Sequence, residues 1–358
     1  MSLPADSALF ARILAKTNEY LDFPSVVGHE TPYLDHLARD FEALGASVER
    51  PRNLCVVRLN DAAGPVFLAH VDRHGAVTAE DGAPVYAAHA VKNTKYGDSA
   101  TPSAEFAETI SKRYAGAEMF AYDRRTGGRI AYGDVTGATL DGQGRLTLNL
   151  REMPALEPGT PLAFARALDR SQAGYVSGQL DNPVSAAALR VAAEFGFKGV
   201  IVFTAEEEIG RSAAHFLEWA DSGGIAPGRE LVVLDTTPFD DGAAALAGAV
   251  ILRRRDATAR FDVDAVRRLE SAASGGGAPI IFKDSFIERE NDARARRGQP
   301  LKSMGLTELG RIAKDSNGAY TGATLQIPTF NYHSNNESTT PRALTAFART
   351  LLRAGEAS

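Results

Sequence analysis

The 358-residue chain holds a single cysteine, Cys55. That excludes an internal disulfide framework and suits a reducing compartment. Cys55 falls within the strand-like stretch LCVVRL and reads as a buried, inert thiol. Long apolar runs are also missing, so no membrane span is expected. Met1 to Leu21 shows no basic stretch leading into an apolar core, so no signal peptide is expected there. Charge of one sign is lacking too. Lys and Arg number 39 against 45 Asp and Glu, a net −6, which indicates no basic surface for nucleic acid. No internal repeat is visible. A cytoplasmic globular protein of one large or two ordinary domains is expected, and 44% hydrophobic with 23% charged residues fits that.

What is present divides the chain in three. Apolar residues at three-to-four spacing predict helices over 8–21 and 31–44, the second closed by Gly45. Strands are expected over 53–59 and 65–69. From 76 to 173 glycine, threonine and short alternating segments predict a β-rich block, with Pro154, Pro158 and Pro161 near its end. Helix–strand alternation then resumes. Strands are expected over 199–204, 230–234, 280–282 and 323–330, and helices over 213–220 and 341–354. A helix over 183–195 would be capped by Asp181-Asn182, with Pro183 in its first turn. The glycine-rich stretch 272–278 reads as a local flexible loop. Alternation of this kind implies an α/β fold with a sheet covered on both faces. The expected division is a catalytic domain of 1–75 and 174–358 with 76–173 inserted into it.

Glu206-Glu207-Glu208-Ile209-Gly210 directly follows the apolar run GVIVFT. Three carboxylates at the end of a buried strand are costly unless something positive meets them, and a metal cation is the simplest candidate. Other metal-capable side chains share that placement. His70 follows PVFLA, Asp235 follows LVVL, and His333 follows the run that ends in Tyr332. Ligands of open α/β sheets bind at the carboxyl ends of strands, so these positions can converge, with Asp181 joining from the loop before its helix. Three carboxylates (Asp181, Glu208, Asp235) and two neutral imidazoles (His70, His333) carry −3. Two divalent cations and a hydroxide bring the set near neutrality. The mixture of imidazole and carboxylate suits Zn²⁺, with Co²⁺ or Mn²⁺ as alternatives. Asp72, two residues from His70, is placed to orient the His70 ring.

These segments, His70-Val71-Asp72-Arg73-His74-Gly75, Leu180-Asp181-Asn182, Glu207-Glu208-Ile209-Gly210, Leu234-Asp235 and Ile327 through Ser334, resemble those of the tetrahedral, glutamyl-type di-metal aminopeptidases, in the same order. That family also carries a β-rich domain between its first histidine and its bridging aspartate. The resemblance covers nearly the whole chain. It implies a three-layer α/β/α zinc-peptidase-like catalytic domain and an inserted dimerisation domain. It further implies that His70 and Asp235 hold one metal, Glu208 and His333 the other, and that Asp181 bridges. Glu207 is then the general base and Glu206 is dispensable. The implied activity is removal of N-terminal residues from short peptides by a dimer-based homo-oligomer, a dodecamer being one such form.

The chain departs from the family at Arg73, His74 and Asn182, and the family's Gly-Gly-Thr-Asp-Ala segment is replaced around Leu309 to Ser316. Three side chains are substrate-binding candidates. Asp240 would hold a free α-amine, Arg253 a carboxylate, and His74 would touch substrate if it is not a solvated turn residue. His29, His36, His89 and His215 read as structural. Arg73, Arg253 and Lys314 motivate an alternative, a di-metal amidohydrolase for a small N-acylated amino acid or modified dipeptide. A non-catalytic scaffold would require a missing ligand or base, and none is missing.

Overall fold

The computed structural model describes residues 5–59, 64–88, 102–165, 167–172 and 174–356. His89 and Ala173, the last residue of the expected insertion, lie outside the described residues. In chain order the elements are α1 (Asp6–Leu21), α2 (Thr31–Glu42), β1 (Ser47–Glu49), β2 (Leu54–Leu59), β3 (Val66–His70), β4 (Gly75–Thr78), β5 (Pro84–Tyr86), α3 (Ala104–Tyr114), β6 (Glu118–Tyr122), β7 (Arg129–Leu140), β8 (Leu146–Arg151), β9 (Pro161–Phe164) and β10 (Val176–Gly178). They continue with α4 (Pro183–Glu194), β11 (Gly199–Thr204), α5 (Ser212–Trp219), β12 (Glu230–Pro238), α6 (Ala243–Ala247), β13 (Val250–Leu252), α7 (Val263–Gly275), β14 (Ile280–Phe282), α8 (Lys283–Arg296), α9 (Glu308–Asp315), β15 (Thr321–Thr329), β16 (Glu337–Thr339) and α10 (Pro341–Glu356).

An eight-stranded mixed sheet runs in the order β1-β2-β11-β3-β12-β15-β13-β14. Its centre, β11-β3-β12-β15, is parallel. Every residue of β3 and β11 is buried, as a continuous apolar run requires when both faces are covered. Helices α1, α4, α7 and α10 pack on one another, while α5 packs on α9. Because α4 and α9 both lie against β12 but belong to separate groups, helices cover the two faces of the sheet. Among the described residues, no helix is long and apolar enough to cross a membrane.

Six strands, β4-β5-β8-β7-β6-β9, close into a barrel with its own apolar core. Closure removes the exposed sheet edges that so many short strands would otherwise present. The barrel starts at Gly75, directly after His74. Val26, Val27 and Ile209, from outside it, join its core. Gly75 belongs to this junction, since a Cβ there would meet the Leu162 carbonyl and Val26, each at 2.5 Å.

Two local expectations are corrected. Residues 272–275 continue helix α7 through Gly275, so the loop is shorter than its three consecutive glycines suggested. Helix α4 has no side-chain cap; Asn182 turns its amide to the Leu234 carbonyl at 2.9 Å instead.

Candidate metal centre

The parallel register brings the strand ends together. Thr204 pairs with His70, and Leu234 pairs with Ala69, so Glu206–Glu208, His70 and Asp235 emerge side by side. Asp181 enters just before α4. His333 comes from the turn after β15, with a left-handed φ of 56°. Glu206 is also left-handed, at 63°. Non-glycine residues in this region are strained, and such strain collects at functional sites.

Two groups of donor atoms result. His70, Asp181 and Asp235 form one; His74, Glu208 and His333 form the other. His70 Nε2 lies 2.9 Å from Asp181 Oδ1 and 3.5 Å from Asp235 Oδ1. His333 Nε2 lies 3.5 Å from the other Asp181 oxygen, Oδ2, and 3.7 Å from Glu208 Oε1. Asp181 thus faces both groups, one oxygen to each. His74, expected in a solvated turn, is instead buried, 3.0 Å from Glu208 Oε1 through its Nε2.

The electrostatics are those of a centre short of positive charge. Burial pushes Glu208 up to about 8, against the pull of His333, and pushes Asp235 up to about 6, with Asp181 adding repulsion. For Asp181 burial acts upward as well, but the His70 and His333 imidazoles outweigh it and hold the carboxyl below its ordinary range. Burial opposes charge on His70, yet Asp181, Asp235 and Asp72 together raise it well above its usual value. Burial lowers His74 to about 4, leaving it neutral at pH 7.

Around these groups stands a supporting shell. Both Asp72 oxygens accept backbone N–H bonds, from Glu207 and Glu208, each at 2.9 Å. Asp72 is 3.5 Å from His70 Nδ1, in electrostatic contact but without a hydrogen bond. Its main contact is therefore with the Glu207–Glu208 turn. Glu207 Oε1 accepts from Arg311 Nη1 at 2.6 Å. Glu206 points elsewhere, to His215 at 3.0 Å. Buried Glu337 accepts from the Asp181 amide at 3.0 Å and from the Thr329 hydroxyl at 2.8 Å. Glu308, pushed up to about 7 by burial and by Glu207, completes the shell.

Sequence reasoning missed Arg311, Glu337, Glu308 and the burial of His74. Arg311 lies in the segment that departs from the family pattern, which was the available signal for it. The remaining candidates are not members of the two donor groups. Arg253 is buried, donating to Gln326 at 2.8 Å and to the Met304 carbonyl at 2.7 Å. Asp240 is ion-paired with Lys302 at 2.6 Å. Arg73 turns away to Ser25 Oγ, at 2.8 Å, and to the Leu21 and Phe23 carbonyls. Cys55 is buried, which pushes its thiol up to about 12.

No protein-family model matches the chain. No curated protein matches it in sequence. Solved structures do. An aminopeptidase from the archaeon Desulfurococcus kamchatkensis is 15% identical, with 97% of this chain and 94% of that one covered and a TM-score of 0.69. The TET1 peptidase of Pyrococcus horikoshii, which can assemble into a tetrahedron or a large octahedral shell, is 17% identical over 95% and 98% of the two chains, with a TM-score of 0.66. A Thermotoga maritima protein described as an endoglucanase is 12% identical over 95% and 98%, with a TM-score of 0.61. The chain has the three-layer fold of the tetrahedral, di-metal aminopeptidases, with the barrel set into it.

Proposed function

We propose that this protein is a metal-dependent aminopeptidase that releases N-terminal residues from short peptides. A fold of this kind hosts more than one named activity, so the reading rests on the site. The observation that carries it is the pair of donor groups sharing Asp181, one carboxylate oxygen turned to each, with Glu207 beside them.

The residues fit metal ions. Two donors bound to one ion at about 2.1 Å stand roughly 3.0–3.4 Å apart, close to the 2.9–3.7 Å separations between donor atoms here. His74 Nε2, Asp181 Oδ1 and Glu208 Oε1 are buried with no hydrogen-bond partner, although neighbouring donors lie within 3.0 Å. Buried polar atoms of this kind call for an explanation, and an ion between them supplies one. His70 and Asp235 would hold one ion, Glu208 and His333 the other, with Asp181 between.

Zn²⁺, or Co²⁺ or Mn²⁺ in its place, would lower the pKa of a water and polarise the scissile carbonyl. Glu207 takes the proton of the attacking water and returns it to the leaving amine. Arg311 holds the Glu207 carboxylate at Oε1, which restrains its direction. Asp72 anchors the amides of Glu207 and Glu208, so base and ligand keep a set relation.

The alternative deacylase reading drew on the segments around Arg73, Arg253 and Lys314, with Arg253 as a carboxylate binder. Arg73 and Arg253 are both committed to acceptors of the protein itself, which favours the aminopeptidase. The barrel would mediate dimers and larger closed assemblies; the P. horikoshii peptidase of like fold can assemble into a tetrahedron or a large octahedral shell, and Ile130 and Tyr132 are exposed on β7 here. A lone buried thiol suits the cytoplasm. The test is a panel of aminoacyl amides set against N-acylated amino acids. Release from free amino termini is expected; release only from blocked substrates refutes the reading.

A further inference from the structure

The ligand set carried by resemblance has five members, with one imidazole for each ion. The structure brings a third imidazole to the centre. We propose that His74 is a sixth protein ligand, to the ion held by Glu208 and His333. The proposal rests on the two-metal reading above.

Four observations carry it. His74 is 8% exposed, and its Nε2 stands 3.0 Å from Glu208 Oε1. At that distance the two atoms nonetheless form no hydrogen bond, and each lacks any other hydrogen-bond partner. A neutral imidazole lone pair and a carboxylate oxygen that approach so closely without a proton between them are arranged as two ligands are, around a shared cation. Next, the other ring nitrogen is occupied: Nδ1 meets the Tyr86 hydroxyl. In the tautomer whose Nδ1–H donates to the Tyr86 hydroxyl, the Nε2 lone pair faces Glu208, the usual arrangement behind a metal-bound histidine. Third, the His74 and His333 rings lie 4.4 Å apart by centroid, and the donor atoms of His74, Glu208 and His333 form one close group. Last, the His74 ring is held by Tyr86 on β5, and the His333 backbone is held from α3, which packs on the barrel. Tyr114, beside Tyr86 with ring centroids 6.2 Å apart, donates to the His333 carbonyl at 2.7 Å.

The two sites then differ in kind. His70, Asp235 and one Asp181 oxygen give the first three protein donors. His74, Glu208, His333 and the other Asp181 oxygen give the second four. Four donors fill the coordination that zinc adopts in closed sites; three leave a position open. The second ion is therefore retained and the first is exchangeable. The second site is also built across two parts of the fold, with Glu208, His333 and Asp181 beside the strand ends of the sheet, His74 directly before the barrel's first strand, and the tyrosines behind it on β5 and α3.

The experiment starts from the protein loaded with Co²⁺. Wild type, His74→Leu and Tyr86→Phe are equilibrated against chelator buffers of graded strength. Ions per chain are counted by elemental analysis, and the visible absorption of the bound cobalt is recorded. Wild type should release one ion well before the other. His74→Leu should release the late ion at least about 100-fold more readily, with the early ion little changed and an altered cobalt spectrum. Tyr86→Phe should show the same effect at about 10–100-fold, the range found when the hydrogen-bond partner of a ligand is removed. Circular dichroism verifies folding, and Tyr86→Phe decides the matter if His74→Leu does not fold. Late-ion retention and cobalt spectra identical to wild type in the folded variants overturn the sixth ligand alone. A wild-type protein that takes up no ion overturns both this inference and the two-metal reading.

Discussion

Replacing Glu207 by Gln separates chemistry from structure at this site. The carboxylate lies outside both donor groups, so each should keep its ions. Its oxygen receives the 2.6 Å bond from Arg311, and the two side chains are 16% and 8% exposed. An amide still offers Arg311 an acceptor, and the Glu207 carbonyl remains 3.3 Å from the same nitrogen. Losing the charge on one partner of so buried a pair should cost about 1–3 kcal/mol of stability. The chemical loss should be larger. A positioned general base contributes roughly 10²–10⁴ in rate, or about 3–5 kcal/mol of barrier. Because proton transfer is needed only in the transition state, kcat and kcat/KM should fall together with KM little changed. The assay is steady-state hydrolysis of an aminoacyl amide, with elemental analysis and thermal unfolding on the same preparation. Activity within threefold of wild type at full metal content would refute the role of Glu207.

Two further predictions concern the frame. Lys283 donates to the Pro238 carbonyl and lies 3.8 Å from the Phe239 ring; burial lowers it to about 7. Between pH 7 and 10 the unfolded chain holds more protons at this group than the folded one, so stability should rise with pH across that window. Lys283→Met should remove that slope and stabilise the protein at pH 7, which chemical denaturation at several pH values would reveal; an unchanged slope contradicts it. At Gly322 an added methyl would fall on the Leu231 carbonyl of the neighbouring strand. Gly322→Ala should cost about 1–3 kcal/mol by overpacking, and an unchanged denaturation midpoint would contradict that.

How much of this was readable in the sequence depended on whether a local rule decided the outcome. GVIVFT before three glutamates, and PVFLA before His70, mark buried parallel strands whose ends meet, because an apolar run on a two-sided sheet leaves few other placements. The register that sets Thr204 beside His70 then brings the donors together. The closure of the barrel was not readable. Short alternating strands indicate β structure, but which first strand meets which last one is decided by contacts between residues as distant as Ala76 and Leu162. His74 was misread for the same reason. Gly75 beside it signals a turn, and only the barrel, through Tyr86, turns that position into buried surface. Glu337 sits in a polar stretch, Asn335-Asn336-Glu337, that reads as exposed loop. It is buried because Thr329, Thr236 and the Asp181 amide supply its hydrogen bonds from other segments.

Titration of metal-free protein with Zn²⁺, counting bound ions per chain, tests the central claim most directly. Two ions per chain are predicted, falling to one or none in Asp181→Asn, whose carboxylate faces both donor groups. A wild-type plateau at one ion, or two ions retained unchanged by Asp181→Asn, would contradict the account.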